Sequence, residues 1–572
     1  MKRPISAAIG LMLALVALSS PPASAADRAP GSTVWARSNI ETPLVAVGSQ
    51  YRALPPRSSL VPSSEKPIKP TLMDPKERER ALLESGSSYK SSITDGNQVS
   101  LVKSDGTIDF AACNANTEGH HPKGDVVNRF NFCRWGYNTA TKLDGQGRVE
   151  GQVRFRETEV GLSVGDARLG RIHVKVTEVV ASGIFGVGSG ANMTMSVSSD
   201  PGRGCGATFG SSTSYKEPVA TWNDTYVYYE AESPESWGDQ SRIDKKASCE
   251  VRSSYKVDAT KGATDYSNSV PIEMRFDSAA YLAPYGTKGA IFSWVTPNLT
   301  YDYNNKELSR VAEHVYYALE NPDGTEPWIS TPKKIPGEIW SNTVLHRNYP
   351  AFNAQSDQIQ KNNRAAKDAA CASIPKVDAT HECDEFPFAS TKEGAGLGDR
   401  NFSVRYVPQS HNSKAGGALG KWYGQDRILD GDAFQVLIET GGKLGIGSAI
   451  AQHALPAKMA MDVQNFRSGA AVQLWSHWGG ANQDFYVNDD SELRVFGNCV
   501  DAGSGASGTP LTAKTCTGGP SQKWGRHPTI VGSIVHIPSG LCMDVTAWGT
   551  ANGTPVMLYS CTGNPNQKWA SP

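Results

Sequence analysis

Hydrophobic and polar positions change their spacing several times along this 572-residue chain. From about residue 99 to 305 apolar and polar residues alternate. "GRVEGQVRFRE" does so through Val149, Val153 and Phe155, and "RIHVKVTEVV" through Ile172, Val174 and Val176. That period of two, broken by glycine-rich stretches, predicts an antiparallel β domain. The uncharged run from Val179 to Ser199 is rich in glycine and serine, which fits strands and turns better than a bilayer helix. Between 306 and 440 the pattern is mixed. "SDQIQKNNRAAKDAACASI" is helix-like and "FSVRYV" reads as a strand. A second helix-like segment runs from about Asn412 to Tyr423, and "AFQVLI" closes as a strand.

The tail repeats itself. "KMAMDVQNFRSGAAVQLWSHWGGANQDF", "GNCVDAGSGASGTPLTAKTCTGGPSQKW" and "GLCMDVTAWGTANGTPVMLYSCTGNPNQKW" align as three copies of about forty residues. Each has an Asp near its start and a Gln-x-aromatic at its end: Gln483/Phe485, Gln522/Trp524, Gln567/Trp569. Three copies favour a closed threefold architecture, because an open stack of this length would leave strand edges exposed.

The first residues, "MKRPISAAIGLMLALVALSSPPASA", combine Lys2 and Arg3, an apolar run and an Ala23-Ser24-Ala25 cleavage signal. They read as a secretory signal peptide over 1–25. Residues 26–98, rich in Pro, Ser and charge, read as a linker or propeptide. One helix is expected there at "DPKERERALLES", capped by Asp74 with Pro75 at its first position. The expected order is then a β domain at 99–305, a small α+β domain at 306–440, a linker at 441–455 and the repeats at 456–572. No later segment reads as membrane-spanning, so the expectation is a secreted, extracellular protein with no membrane partner.

Charge is balanced, 56 basic against 57 acidic residues for a net −1. A protein holding a polyanion on a broad basic face would be more positive, so any nucleic-acid contact has to be local. Ten cysteines, export and the absence of any C-x-x-C favour disulfides over zinc. Near-neighbour pairing is expected: Cys113 with Cys133, Cys205 with Cys249, Cys371 with Cys383, Cys499 with Cys516 and Cys542 with Cys561. The first repeat lacks both members of its pair at once, with Ala460 and His477 at the aligned positions, as a bonded pair predicts. The β domain shows no catalytic constellation. His120 and His121 are adjacent, and neighbours on a strand point to opposite faces.

Candidate chemistry lies in "HECDEFPFASTKEG", where Asp384, Glu385 and Glu393 surround a short apolar stretch. Phosphodiester hydrolysis needs an activated water, neutralisation of the phosphoryl oxygens and help for the leaving oxygen. Magnesium keeps most of its waters and needs few protein oxygens. Asp384, Glu385, Glu393 and the side-chain oxygen of Asn412 therefore suffice for a Mg²⁺ or Mn²⁺ site. A Cys371–Cys383 bridge would fix the backbone beside Asp384.

"CDEFPFASTKEG", "VRYV", "HNSKAGGALGKWY" and "RILDGDAFQVLI" together resemble the NucA/NucB family of secreted bacterial deoxyribonucleases, over about residues 345 to 440. The resemblance implies a ββα-metal-type nuclease with DNA as substrate, in which an aspartate replaces the usual histidine as general base. By position, Asp384 becomes the base, Asn412 a metal ligand, and Glu385 and Glu393 supporting acids. Arg364 and Arg405 become candidate phosphate contacts. Family members often carry Asp before the helix asparagine, where this chain has His411. His411 and His381 therefore stand beside Asp384 as alternative bases.

The repeats, over roughly 456 to 570, resemble ricin B-type β-trefoil lectins. That resemblance implies polysaccharide or glycan binding through Asp462, Gln473, Trp475, Asn482 and Gln483 in the first repeat. In the third it implies Asp544, Tyr559, Asn566 and Gln567, with Met557 where the first has Gln473. The second puts Lys514 at the aromatic position and Ser521 at the Asn position, and is expected to be structural. The terminal Gln and aromatic are either sugar contacts or core residues. The leading expectation is a secreted, metal-dependent endonuclease targeted by a lectin. Its alternatives are a secreted glycoside hydrolase with a carbohydrate-binding module and a non-enzymatic adhesin.

Overall fold

The computed structural model describes three short strands before residue 101 (33–38, 52–53 and 87–89). From 101 to 570 it describes all but short stretches, the longest being 440–449. Residues 1–25 and the helix expected at "DPKERERALLES" lie outside the described residues.

The expected β domain is a two-sheet antiparallel sandwich. One sheet is built on three long strands, Asn131–Leu143, Val149–Ser163 and Leu169–Gly183, and the other on Asn192–Ser199, Ala247–Ala259 and Ile272–Asp277. The alternating set faces inward as its period demands: Val153, Phe155, Ile172, Val174 and Val176 are fully buried against Met193, Met195, Met274 and Phe292. Cys205–Cys249 ties the two sheets, and Cys113–Cys133 pins the helix Phe110–Ala115 to the first. Two short pieces of the Pro/Ser-rich segment, Thr33–Ser38 and Arg52–Ala53, add strands to this sheet.

The middle domain starts earlier than residue 306. Its sheet runs in the order Leu345–His346 (β3), Ala433–Glu439 (β6), Asn298–Asp302 (β2) and Ser87–Tyr89 (β1), with β2 parallel to β6. A separate hairpin, His381–Phe386 (β4) and Ser403–Pro408 (β5), leads directly into the helix Gln409–Gln425 (α3). The hairpin is covered on both faces. Ser309–Glu320 (α1) and α3 cover the face of Phe386 and Val407, and Ala354–Ala372 (α2) covers the face of Phe402 and Val404. Asn353 caps α2 through its side chain, and Cys371–Cys383 staples α2 to β4. Asn363 of α2 organises the loop after the hairpin's first strand. Its amide donates to the carbonyls of Ala389 (3.0 Å) and Thr391 (2.8 Å) and accepts from the Gly396 N–H (2.9 Å). A Cβ on Gly394 or Gly396 would collide with the Asn362–Asn363 stretch, which is why the "EGAG" stretch needs its glycines.

The third unit is a twelve-stranded trefoil containing all three repeats, and Ile450–Ala451 already pairs within it. Cys499–Cys516 and Cys542–Cys561 close loops in repeats two and three. All five expected disulfides are formed, and no described cysteine is free.

Buried charge joins the domains. At the sandwich seam Asp432 meets Arg275, Lys246 (3.0 Å) and Arg129 (3.4 Å), while Arg427 meets Asp277. Burial alone would push the Asp432 carboxyl up, but the three cations outweigh it and hold it far below the usual carboxylate range. At the trefoil seam Glu313 of α1 takes Arg494 (Nε, 2.6 Å) and the Tyr486 hydroxyl (2.5 Å), while Glu492 takes Arg310 (2.7 Å) and Arg494 (2.9 Å).

Asp432→Asn leaves those cations without their carboxylate and should cost about 3–5 kcal/mol of stability at neutral pH. Because the folded pKa is depressed, that contribution exists above the unfolded value near 3.8 and is lost as pH falls below it. Urea melts of both proteins should therefore differ at pH 7 and converge in strong acid; a constant gap would refute the linkage.

Candidate functional site

β4 sorts the expected site residues by strand alternation. Glu382, Asp384 and Phe386 point to the α1/α3 face, while Cys383 and Glu385 point to α2. Asp384 and Glu385, adjacent in the chain, are thus on opposite sides of one strand. The three expected carboxylates each take a different partner and do not converge.

Asp384 is 8% exposed, and its Oδ2 lies 2.7 Å from Nδ1 of His314 on α1. Nε2 of His314 lies 2.8 Å from the Ser403 hydroxyl on β5, and both His314 and Ser403 are buried. Two residues along the same face, Glu382 accepts from the Asn412 amide at 3.1 Å. Asn412 sits in the first turn of α3, half-buried, so the strand–strand–helix unit brings the Asn412–Glu382 pair and Asp384 to one side of the hairpin. The amide NH₂ is the group used toward Glu382, which leaves the Asn412 side-chain oxygen and the second Glu382 oxygen for a ligand. Hard oxygen donors of this kind suit Mg²⁺ or Mn²⁺.

Glu385 accepts from the Ala389 N–H at 3.2 Å, with Lys367 of α2 3.9 Å away and Arg364 near. Burial, and then the charge of Asp384, push its carboxyl up to about 7, against the pull of Lys367 and Arg364. A carboxylate tuned there is poised for proton transfer at neutral pH. Glu393 is tied to β3: its two oxygens take the His346 N–H and His346 Nδ1, each at 2.7 Å.

The remaining expectations divide. Arg364 is exposed on the Glu385 side and keeps its place as a phosphate candidate. Arg405 does not. It points across the trefoil seam, so close to Gly497 that any side chain there would collide with its guanidinium, and it faces Glu313. The desolvation of that seam lowers its pKa. His411 accepts from the Arg310 N–H at 3.4 Å, and burial, then Arg310, lower its pKa. His381 lines the same trefoil-side cleft of about 710 Å³ as His411. Three of these partners, His314, Glu382 and His346, had not been singled out in the sequence. His314 carried one signal, a polar residue inside the apolar stripe Val311, Val315, Ala318.

The trefoil answers the question about its terminal residues. Gln483, Gln522 and Gln567 are fully buried, and so nearly are Phe485, Trp524 and Trp569. Each Gln donates to the repeat's aspartate: 3.0 Å to Asp462, 3.2 Å to Asp501 and 2.8 Å to Asp544. Gln483 and Gln567, expected among the sugar contacts, therefore orient the aspartate from behind and have no surface to offer a ligand. Gln473 also donates to Asp462 (3.1 Å), and Asn482 and Asn566 donate to Asp462 (2.8 Å) and Asp544 (3.0 Å). The Oδ1 atoms of Asn482 and Asn566 have no protein partner in either repeat. Trp475 and Tyr559 stand 40% and 45% exposed beside them. In the second repeat Lys514 bonds Asp501 at 3.0 Å and lines a cavity of about 440 Å³ shared with His314 and Ser403 of the middle domain.

Among the described residues, two clusters of potential metal-binding side chains occur, and both consist largely of disulfide cysteines, which are not available as thiolates.

Residues 341–437 match the deoxyribonuclease NucA/NucB family model, and residues 451–569 match the ricin-type beta-trefoil lectin domain. The chain carries a nuclease domain of that family followed by a lectin trefoil. No curated protein matches it. Among solved structures, it is similar to the designed threefold-symmetric protein ThreeFoil, at 28% identity over 22% of this chain and 96% of that one, TM-score 0.20. The C-half of the earthworm R-type lectin, in complex with GalNAc, is 17% identical over 22% of this chain and 95% of that one, TM-score 0.19. The agglutinin from Abrus precatorius is 18% identical over 22% of this chain and 47% of that one, TM-score 0.20.

The raised Glu385 pKa has a stability consequence. The folded carboxyl keeps its proton to about pH 7, while the unfolded one loses it near 4.5. Stability therefore falls as pH rises between those values, by at most about 3 kcal/mol, and stays lower above them. Glu385→Gln should melt higher than the parent at pH 8 and match it at pH 4. Equal melting temperatures at pH 8 would show that Glu385 is not held protonated.

Proposed function

We propose that the protein is a secreted, metal-dependent endonuclease that hydrolyses DNA phosphodiester bonds and is held at a carbohydrate surface by its trefoil. The observation that carries the reading is the β4–β5–α3 unit, which brings Asp384 and the Asn412–Glu382 pair to one face inside the segment that matches the deoxyribonuclease family. Asp384 takes a proton from the attacking water. Asn412 and Glu382 would hold a divalent cation, and that ion would supply neutralisation of phosphoryl charge and help for the leaving oxygen. Arg364 meets a flanking phosphate. Five disulfides, and the absence among the described residues of any helix long and apolar enough to cross a membrane, agree with export.

A second reading of the base has its own support. Glu385, raised to about 7 beside Lys367 and Arg364, would act on the α2 face. Both bases cannot serve one water, since a strand separates them. The glycoside hydrolase alternative loses ground for the same reason: its two carboxyls must flank one bond across an open space of roughly 5–9.5 Å. Asp384 and Glu385 face away from each other.

Nicking of supercoiled DNA by the full chain decides. With Mg²⁺ or Mn²⁺, Asp384→Asn should lose about 10²–10⁴-fold in turnover, the usual share of general-base catalysis, while Glu385→Gln loses far less. The reverse ranking would move the base to the α2 face, and cleavage that persists in EDTA would sink the metal-dependent mechanism.

Sugar is proposed to bind at repeats one and three, and not at two, where Lys514 already occupies Asp501. Two shallow sites on one body act through avidity on a polymer. Trp475→Ala with Tyr559→Ala should abolish retention on a polysaccharide matrix and leave nicking of soluble DNA intact. Undiminished retention would remove the lectin assignment.

A further inference from the structure

The hydrogen-bond chain behind Asp384 is not accounted for by the reading above. It runs from the Ser403 hydroxyl to His314 Nε2 (2.8 Å) and from His314 Nδ1 to Asp384 Oδ2 (2.7 Å), joining β5, α1 and β4. Ser403 and His314 border the cavity of about 440 Å³ at the trefoil seam, but the serine has no exposed surface and its hydroxyl is spent on His314, so the trio is not read as a nucleophilic one. His314 also stands at residue 314, ahead of the segment 341–437 that matches the nuclease family.

We infer that His314 is a positioning residue for the catalytic carboxylate: it fixes the orientation of Asp384, and Ser403 fixes the orientation of His314. The inference rests on Asp384 being the base. The chemistry is the reverse of the familiar arrangement in which an aspartate orients a histidine. With Nδ1 protonated, the imidazole donates to Oδ2, and the Ser403 O–H donates to Nε2, so each ring nitrogen has its complement. Oδ2 is thereby committed to the protein and Oδ1 is the oxygen left to accept a proton from water. A carboxylate free to rotate about χ2 would present either oxygen. One pinned from behind presents the same oxygen at every encounter, which lowers the orientational cost of the proton transfer. α1 can serve as the anchor because its adjacent residue, Glu313, is clamped by Arg494 and Tyr486 of the trefoil.

The test compares four full-length variants in the nicking assay with saturating Mg²⁺: His314→Leu, His314→Asn, Ser403→Ala and Asp384→Asn. His314→Leu removes both nitrogens at similar volume. His314→Asn keeps an amide N–H where Nδ1 stood and loses the Ser403 contact. Loss of a group that orients a reacting ligand typically costs about 10–100-fold. His314→Leu should therefore drop kcat by about that factor with KM unchanged, while His314→Asn recovers most of it. Wild-type kcat in His314→Leu, or an equal loss in both variants, would overturn the inference, the second outcome because it marks packing and not the hydrogen bond. Should His314→Leu fail to fold by circular dichroism, Ser403→Ala decides: a several-fold fall in kcat at constant KM supports the chain, and an unchanged kcat refutes it. Asp384→Asn run alongside separates the two levels. Full activity there defeats the base assignment itself, whereas its loss with no effect of the His314 and Ser403 variants defeats only the positioning role.

Discussion

A carboxylate with no exposed surface stays charged only where cations meet it, and Glu313 is met by Arg494 from another domain. Burial alone would push that carboxyl up; Arg494, Arg405, Arg310 and the Tyr486 hydroxyl hold it below its ordinary value. The pair is costly to desolvate and costly to break, so it tolerates one relative placement of α1 and trefoil. Successive helix residues diverge by about 100°. Glu313 therefore reaches the trefoil while His314 reaches Asp384. The geometry behind the candidate base is thus set from the lectin side of the molecule. The sandwich does the same at the other end, where Asp432 and Arg427 of the middle domain exchange charges with Arg275, Lys246 and Asp277. The three apolar cores remain largely separate, and the seams are keyed by charge.

Those keys explain part of the motif that carried the family resemblance. "RILDGDAF" is one of the stretches that carry the resemblance. In the fold its Asp430 carbonyl takes Arg242 at 3.0 Å, its Asp430 carboxylate caps the Tyr349 N–H at 2.9 Å, and Asp432 is the ionic hub of the sandwich seam. Gly431, at φ +80°, makes the turn between them possible. A short acidic motif near a site can be scaffold in its entirety. Charge and spacing alone do not distinguish it from "CDEF", where one acid of two faces the candidate metal residues.

Much of the architecture was legible because periodicity reports burial: Val153, Phe155 and Val174 are as deeply buried as their alternation demands. The disulfides were legible because a missing pair in one repeat is a physical signature. The site was legible only in part. His120 and His121 lie on the short 3-10 turn Glu118–His120 and its cap and not on a strand, so alternation does not govern them. It does govern Asp384 and Glu385 on β4, yet the resemblance drew both acids into one site. His314 could be read as buried from its apolar stripe, but its partners lie 70 and 89 residues away, beyond any local pattern. The start of the middle domain was hidden for the same reason. Asn298–Asp302 is a strand like its predecessors until its parallel partner, Ala433–Glu439, is known.

The unequal trefoil repeats follow from docking. Each repeat presents an aspartate held by a buried glutamine, a ready acceptor for a hydroxyl donor. In repeats one and three that acceptor lies beside an exposed aromatic and an asparagine oxygen without a protein partner. Repeat two is the one turned toward the middle domain, where its Lys514, Thr515 and Thr517 line a cavity with His314 and Tyr406. An aspartate open to sugar would there be a carboxylate facing a domain seam, and Lys514 and Ser521 neutralise and satisfy it instead. Burial would raise the Asp501 carboxyl, yet these bonds hold it below its ordinary value, whereas Asp544, with no lysine bonded to it, is raised by burial despite Gln567, Asn566 and His453. Lys514 and Ser521, which set repeat two apart from the others, are thus residues that satisfy Asp501 at the docking face. With repeat two spent on the seam, the binding proposed for repeats one and three would hold a polymer at a fixed orientation to the hairpin carrying Asp384.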